Sequence, residues 1–143
     1  MREAIAEACL ARDAGEVPVG ALVVSGSGDI VARAGNAMAR LNDPTAHAEI
    51  LALRAACRAA GNYRLEGCVL LTTLEPCLMC TGALVHARIS GLVYGVADRK
   101  AGSISSCLDG LDLPFLNHRV WHMGGVAEGA CAELLRGFFE QRR

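Results

Sequence analysis

The sequence has no long apolar run, no signal-peptide pattern and no excess of positive charge. None of its apolar stretches approaches the ~18 residues that a membrane-spanning helix needs. The chain does not open with a charged segment, an apolar stretch and a small-residue cleavage site. We therefore expect a cytoplasmic protein with no membrane segment. The formal net charge is -1, which excludes a global basic field, so any polyanion has to be bound by a local group of residues.

Disulfide pairing is also not indicated. The seven cysteines form an odd number, which argues for a reducing compartment and against a disulfide framework. The apolar fraction of 52% and the charged fraction of 20% are typical of a globular protein. With 143 residues, the chain has the length of one domain, and we expect a single domain over residues 1–143.

Two short motifs contain metal ligands. His47-Ala48-Glu49 and Pro76-Cys77-Leu78-Met79-Cys80 supply one imidazole, two thiolates and one carboxylate. A zinc ion held by three protein ligands keeps a fourth position for water, and a nearby carboxylate that is not a ligand can transfer protons. The combined pattern H-x-E…P-C-x-x-C is the signature of zinc nucleobase deaminases. It predicts that His47, Cys77 and Cys80 bind zinc and that Glu49 is the catalytic acid and base.

Other interpretations of these motifs stay open. A Cys-x-x-Cys pair alone is also typical of redox sites and of structural zinc modules. A fourth protein ligand would close the zinc site and make it structural. The candidates for that ligand are His86, His118, His122 and the remaining cysteines, none of which has paired finger spacing.

The apolar pattern alternates between helical and strand periodicity. It predicts helices over 2–13, after Asp43-Pro44-Thr45, after Pro76 and over 127–141. It predicts strands over 17–24, 30–34, 68–72, 91–96 and near 120–121. In this interpretation His47 lies in a first helical turn, and so do Cys77 and Cys80.

This order of elements predicts an α/β fold with helices on both faces of a sheet. Strands joined by a single crossover helix should be parallel, and ligands collect beyond the carboxyl ends of such strands. Both metal-binding segments lie there, where the N–H groups of a helix start favour thiolates. Glu49 is rotated by roughly 200° from His47 on an ideal helix. Periodicity therefore does not place both in one pocket, and the role of Glu49 depends on the motif.

The sequence resembles the bacterial tRNA-specific adenosine deaminases along nearly its full length. Free-nucleoside deaminases would share the metal-binding residues but not the other segments of this resemblance. Those segments are Glu16-Val17-Pro18-Val19-Gly20-Ala21, Asn36, Asp43 through Ile50, Asn62-Tyr63-Arg64-Leu65, Thr73-Leu74-Glu75-Pro76-Cys77, Asp98, Lys100 and Asn117-His118-Arg119-Val120.

The resemblance implies a three-layer α/β/α fold of the cytidine-deaminase type, with a central mixed sheet of about five strands. It implies one zinc ion per subunit and a homodimer that converts the wobble adenosine of a tRNA anticodon stem-loop to inosine. It also implies that Asn36 and the backbone of Ala48 hold the purine. A deaminase of a free base or nucleotide, such as guanine, cytosine or a cytidine nucleotide, and a non-catalytic zinc or RNA-binding scaffold are the alternatives.

The resemblance also implies a set of tRNA contacts. These are Asp98, Lys100, Asn117, His118, Phe138, Phe139, Arg142 and Arg143. By residue type alone, an aromatic pair on a terminal helix is more typical of a core than of base stacking.

The chain departs from the family at Ser103-Ile104-Ser105-Ser106, where small Ala-Ala-Gly-Ser residues are usual, and we expect a reshaped loop over the tRNA.

Overall fold

The computed structural model describes residues 1–142, which form one five-stranded sheet with helices packed on it. The elements in chain order are α1 (Arg2–Asp13), β1 (Gly20–Val24), β2 (Ile30–Gly35), α2 (Met38–Leu41), α3 (Ala48–Ala60), β3 (Val69–Leu74), α4 (Leu78–His86), β4 (Gly91–Val96), β5 (Trp121–Met123) and α5 (Glu128–Glu140). No helix among the described residues is long and apolar enough to cross a membrane.

The sheet is mixed, with strand order β2-β1-β3-β4-β5. Strand β1 is antiparallel to both β2 and β3, whereas β3, β4 and β5 run parallel. The parallel pair β3 and β4 is joined through α4, as expected for a crossover helix. The predicted α/β fold with a mixed sheet of about five strands is confirmed.

Helices cover the two faces of the sheet. Helices α1 and α5 contact each other, and α3 contacts α4 and packs on β1, β2 and β3. Helix α1 comes very close to the sheet because its inward positions Ala4, Ala8 and Ala11 are small and buried. A Cβ atom at Gly20 would lie 2.0 Å from the carbonyl oxygen of Ala4, so only glycine permits this approach.

Most predicted elements are present, but their boundaries differ at informative places. Strand β1 begins at Gly20 and not at Val17, because Pro18 lacks a backbone N–H and the N–H of Val19 bonds to the carbonyl of Val17 in a tight turn. The short helix α2 was not predicted. The placement of His47 and Cys77 in first helical turns was wrong, since both are N-cap residues with extended backbone.

Candidate active site

The amino-terminal ends of α3 and α4 meet beside the carboxyl end of β3. His47 caps α3 with φ -69° and ψ 149°, and Cys77 caps α4 with φ -76° and ψ 172°. Neither side chain bonds to its own helix as a capping group, so both side chains are free to face the space between the helices. Cys80 lies in the first turn of α4 and is completely buried.

The three predicted ligands converge. The Nδ1 atom of His47 is 3.6 Å from the Sγ atom of Cys77 and 3.5 Å from that of Cys80. All three donor atoms lie within 4.8 Å of one another. Tetrahedral zinc bonds of about 2.0–2.1 Å to nitrogen and about 2.3 Å to sulfur place such donors roughly 3.6 Å apart. The donor set therefore fits a zinc ion.

The site has three ligands and not four. Within residues 1–142, no other His, Cys, Asp or Glu joins this cluster, and His86, His118 and His122 lie outside it. Three ligands are typical of a catalytic zinc site, which keeps one position open. The closed structural site that the sequence left open is not formed by the described residues.

The cysteines of the cluster differ in their proton affinity. The hydrogen bond from Cys80, helped by that from His47 and opposed by burial, lowers the pKa of Cys77 to about 4. The same hydrogen bond to Cys77, together with burial, raises the pKa of Cys80. The directions of these shifts favour a thiolate at Cys77 and a protonated thiol at Cys80, which would lose its proton on binding a metal.

A cavity of about 230 Å³ opens beside the ligands. The cavity is lined by residues before β1, after β2 and after β4, at the end of β3 and at the starts of α3 and α4, namely Val17, Val19, Asn36, Met38, His47, Glu49, Leu74, Glu75, Cys77, Asp98 and Ala101. His47 and Glu49 both reach it because His47 is not helical, so the rotation expected along an ideal helix does not apply to this pair.

Glu49 has the environment of a proton-transfer group. Its side chain is 4% exposed, and burial raises the pKa of this carboxyl to about 7, although His47 opposes the change. An acid and base with a pKa near the working pH exchanges protons most effectively. Ala48, between these two residues, is fully buried and begins α3, where backbone N–H groups have no partner inside the helix.

Asn36 is fixed by a buried glutamate, Glu16, for which the sequence predicted no role. The Nδ2 atom of Asn36 lies 3.5 Å from the carboxylate of Glu16, which also accepts the backbone N–H groups of Ala39 and Arg40 at 3.2 and 2.7 Å. Glu16 and Asn36 are 4% and 7% exposed. Glu16 therefore ties Asn36 to the start of α2 at one side of the cavity.

The sequence also predicted no role for a second buried glutamate, Glu75. Glu75 is 2% exposed and accepts hydrogen bonds from the segment 98–106, which follows β4. Asp98, at the start of this segment, lines the cavity, and its Oδ1 atom accepts the N–H of Lys100 at 2.9 Å. The side chain of Lys100 is exposed on the same loop. The sequence feature that could have pointed to Glu75 is a carboxylate directly after a buried strand.

Asn117 and His118 lie elsewhere. Asn117 lines a separate cavity of about 440 Å³ beside α4, where its Oδ1 atom accepts a hydrogen bond from Arg88 at 2.8 Å. His118 is 2.6 Å from the carbonyl oxygen of Ile89 through its Nε2 atom. The structure therefore does not bring this pair into the cavity that contains Glu49.

The predicted contacts on α5 and directly after it separate into buried and exposed groups. Phe138 is 5% exposed, whereas Phe139 is 50% exposed and meets it edge to face at 5.4 Å. The guanidinium of Arg142 lies 3.7 Å from the centre of the Phe138 ring and donates to the carbonyl of Gly15. Phe138 and Arg142 thus dock α5 near the end of α1. Arg143 lies outside the described residues.

Fold and site together define a zinc-dependent deaminase of the cytidine-deaminase type. A family model described as the cytidine and deoxycytidylate deaminase zinc-binding region matches residues 1–96. The chain is 46% identical over 144 residues to the tRNA-specific adenosine deaminase of Aquifex aeolicus, covering all of this chain and 93% of that protein. The chain belongs to the tRNA-specific adenosine deaminases within this larger family.

Solved structures agree with the fold. A structure from work on A-to-I editing by tRNA:A34 deaminases at the wobble position of transfer RNA is 44% identical, with a TM-score of 0.91 over 94% of this chain and 97% of that one. The guanine deaminase of Bacillus subtilis is 33% identical, with a TM-score of 0.66 over 99% of this chain and 90% of that one. The chain is thus similar to deaminases of two substrate types.

Proposed function

We propose that the protein is a zinc-dependent hydrolase that converts the wobble adenosine of a tRNA anticodon loop to inosine. The observation that carries this proposal is the cavity in which Glu49 faces His47 and Cys77, in a chain 46% identical over its whole length to a tRNA-specific adenosine deaminase. A wobble adenosine is single-stranded, so moving it out of its stack costs less than opening a duplex.

The roles of the site residues follow from their positions. His47, Cys77 and Cys80 would hold one zinc ion per subunit, which when bound supplies an open coordination position and a Lewis acid that activates water. Glu49 accepts one proton from the attacking water and passes it to the purine ring nitrogen. It then takes the second proton from the hydroxyl group formed on the ring carbon and passes it to the departing ammonia. Its pKa of about 7 suits both directions of transfer.

The base is held by neighbouring groups. The amide of Asn36 offers both a donor and an acceptor at the cavity wall, and the backbone of Ala48 offers an N–H at the start of α3. A cavity of about 230 Å³ admits a base but not a stacked or paired segment of RNA. The target base therefore has to leave the loop and enter alone.

The RNA outside the cavity meets the surface around it. Asp98 and Lys100 lie on the loop that borders the cavity and would contact flanking nucleotides. Phe139 is the exposed aromatic residue of α5 and can stack on a base, whereas Phe138 supports it. For Asn117, His118, Arg142 and Arg143, contact with tRNA stays a prediction.

We also infer a cytoplasmic homodimer with a single deaminase domain over residues 1–143. Three large apolar side chains are exposed at and near α4, namely Leu78 at 60%, Met79 at 37% and Phe115 at 77%. Apolar side chains that are exposed together are typical of protein interfaces.

Light scattering on the purified protein should give a dimer mass, and Leu78→Glu should shift that mass toward the monomer. A wild-type monomer would contradict the homodimer.

Deamination of a free base is the second candidate, because the guanine deaminase of Bacillus subtilis has the same fold at 33% identity. Both reactions would use the same zinc site and Glu49. The two reactions differ in whether the target base is joined to RNA. The surface around the cavity would therefore matter only for deamination of tRNA.

The deciding experiment compares four substrates with the zinc-loaded protein. These are an anticodon stem-loop with adenosine at the wobble position, the same stem-loop with guanosine there, and free adenosine with free guanine. Mass spectrometry measures inosine, xanthosine and xanthine. We expect inosine from the first substrate alone. Product from free guanine alone would replace the proposed substrate and keep the zinc chemistry.

A further inference from the structure

We propose that Glu75 is a positioning residue, whose buried carboxylate holds residues 98–106 in the conformation that forms one wall of the substrate cavity. The segment 98–106 is called the wall loop below. The effect on substrate depends on the proposed function, whereas the effect on the loop does not.

The carboxylate of Glu75 collects five donors from the wall loop. Its Oε1 atom accepts the backbone N–H groups of Ile104, Ser105 and Ser106 at 3.1, 2.8 and 3.0 Å. Its Oε2 atom accepts the N–H of Asp98 at 2.9 Å and the hydroxyl of Ser106. Both ends of the wall loop are therefore fixed by one side chain.

The donors explain why a carboxylate is needed. Every group that faces Glu75 in this set is an N–H or an O–H, so both of its oxygens must accept hydrogen bonds. A glutamine would turn an NH₂ group toward one set of donors and leave them unsatisfied in a buried place. Hydrogen bonds to a charged acceptor are also stronger than those to a neutral one.

The close fit around the carboxylate supports the same role. A Cβ atom at Gly102 would lie 2.4 Å from the carboxylate of Glu75 and 2.5 Å from the carbonyl oxygen of Asp98. The wall loop thus folds tightly around this side chain, and any side chain at position 102 would move the two apart.

The contact reaches the metal-binding segment and the cavity. Glu75 stands two positions before Cys77, and the N–H of Ser103 donates to the carbonyl of Pro76 at 2.9 Å. Asp98 accepts the N–H groups of Lys100 and Ala101 through its side chain, so its fixed position sets theirs. Glu75, Asp98 and Ala101 all line the cavity beside Glu49. A displaced wall loop would change how a substrate fits, with the zinc ligands left in place.

The test uses three serine substitutions together with Glu75→Gln. Ser106→Ala removes the hydroxyl donor, and Ser106→Thr keeps it. Ser27→Ala is the matched control, because Ser27 is exposed in the turn between β1 and β2 and its hydroxyl bonds only to the side chains of Ser25 and Asp29. Each zinc-loaded variant is measured for zinc content, for kcat and KM on the wobble-adenosine stem-loop, and for amide hydrogen exchange in residues 98–106.

We expect Ser106→Ala and Glu75→Gln to raise KM by about tenfold with kcat changed by less than about threefold, since substrate fit and not proton transfer is lost. Zinc content should equal that of the wild type, and exchange in the wall loop should be faster. Ser106→Thr should keep KM and the exchange rate at wild-type values, and Ser27→Ala should leave KM within about twofold. A purely structural role would lower the melting temperature without this division between KM and kcat.

Two outcomes separate the proposals. If the wild type does not act on the stem-loop, the proposed function fails, and KM is then measured on free guanine while hydrogen exchange still reports on the loop. If exchange in residues 98–106 and KM both stay at wild-type values in Ser106→Ala and Glu75→Gln, the positioning role of Glu75 is overturned.

Discussion

The Nδ1 atom of His47 lies 3.5 Å from the Sγ atom of Cys80, a residue 33 positions later in the chain. The contact joins the N-cap of α3 to the first turn of α4, so a metal held there links two helices that start from different loops. Because ligands must lose their protons to bind zinc, the affinity of this site for the metal depends on pH.

Zinc binding to the metal-free protein at pH 7 should release at least one proton per site. The pKa of Cys80 is raised by its hydrogen bond to Cys77 and by burial, so its thiol is protonated until zinc takes the thiolate. The pKa of His47 is also raised by its hydrogen bond with Cys77, which adds a further fraction of a proton. Since protons compete with the metal, the apparent affinity rises with pH, by roughly tenfold per pH unit for each proton.

Titration calorimetry in two buffers with different ionisation enthalpies measures this proton count directly. Cys107→Ala is the matched control, because Cys107 is exposed and its thiol bonds only to the carbonyl of Arg99. Zinc affinity in that variant should equal that of the wild type. A zinc affinity that does not change between about pH 6 and pH 8 would contradict the assignment of Cys80 as a protonated ligand.

Glu49→Gln should keep zinc and lose most of its activity. Glutamine has nearly the same shape but cannot accept the proton of water, and loss of such a group lowers kcat by about 10²- to 10⁴-fold. Burial of the native carboxyl raises its pKa, so a neutral side chain should leave the melting temperature equal or higher. Glu66→Gln, at an exposed glutamate, is the control and should resemble wild type. Wild-type turnover in Glu49→Gln would exclude Glu49 as the proton-transfer group.

Much of the fold follows from periodicity, but the geometry of the site does not. Helix α1 and strand β4 have the predicted bounds, since a regular apolar pattern continues through each of them. The N-caps were misplaced because caps are usually Ser, Thr, Asp or Asn, whereas His47 and Cys77 occupy these positions here. That difference of one residue decides whether Glu49 shares a cavity with His47.

The buried glutamates were missed for another physical reason. The partners of Glu75 are backbone N–H groups 23 to 31 positions away, and any residue type except proline carries such a group. The side chains of Ile104 and Ser105 therefore give no sign of this contact in the sequence. The convergence of His47, Cys77 and Cys80 could be predicted because the chemistry of a metal ligand is a property of the side chain itself.

Asn36→Ala should weaken substrate binding without loss of the metal. The amide of Asn36 is 7% exposed at the cavity wall, and removing a buried hydrogen-bonding group should raise KM by roughly 10- to 100-fold. Steady-state kinetics on the stem-loop measures this change, with zinc content measured in parallel. The control is Asn62→Ala, since Asn62 is exposed and accepts only the N–H of Arg64. Equal KM values in the two variants would remove Asn36 from the base-binding site.

Gly102→Ala and Gly137→Ala should change stability in opposite directions. At Gly102 an added Cβ would meet the carboxylate of Glu75 at 2.4 Å, so the wall loop must move, and we expect a loss of about 1–3 kcal/mol in the free energy of unfolding. At Gly137, inside α5, nothing lies within 4 Å of the added atom. Alanine is the better helix former there and should add about 0.5–1 kcal/mol.

Urea denaturation of the two variants and the wild type measures both changes, at equal zinc loading so that metal binding does not contribute. Activity separates the two sites further. Gly102→Ala should lower kcat/KM because the moved loop carries Asp98 and Ala101 at the cavity, whereas Gly137→Ala lies outside that cavity and should not. If Gly102→Ala were as stable and as active as wild type, the wall loop would have room that its contacts with Glu75 do not allow.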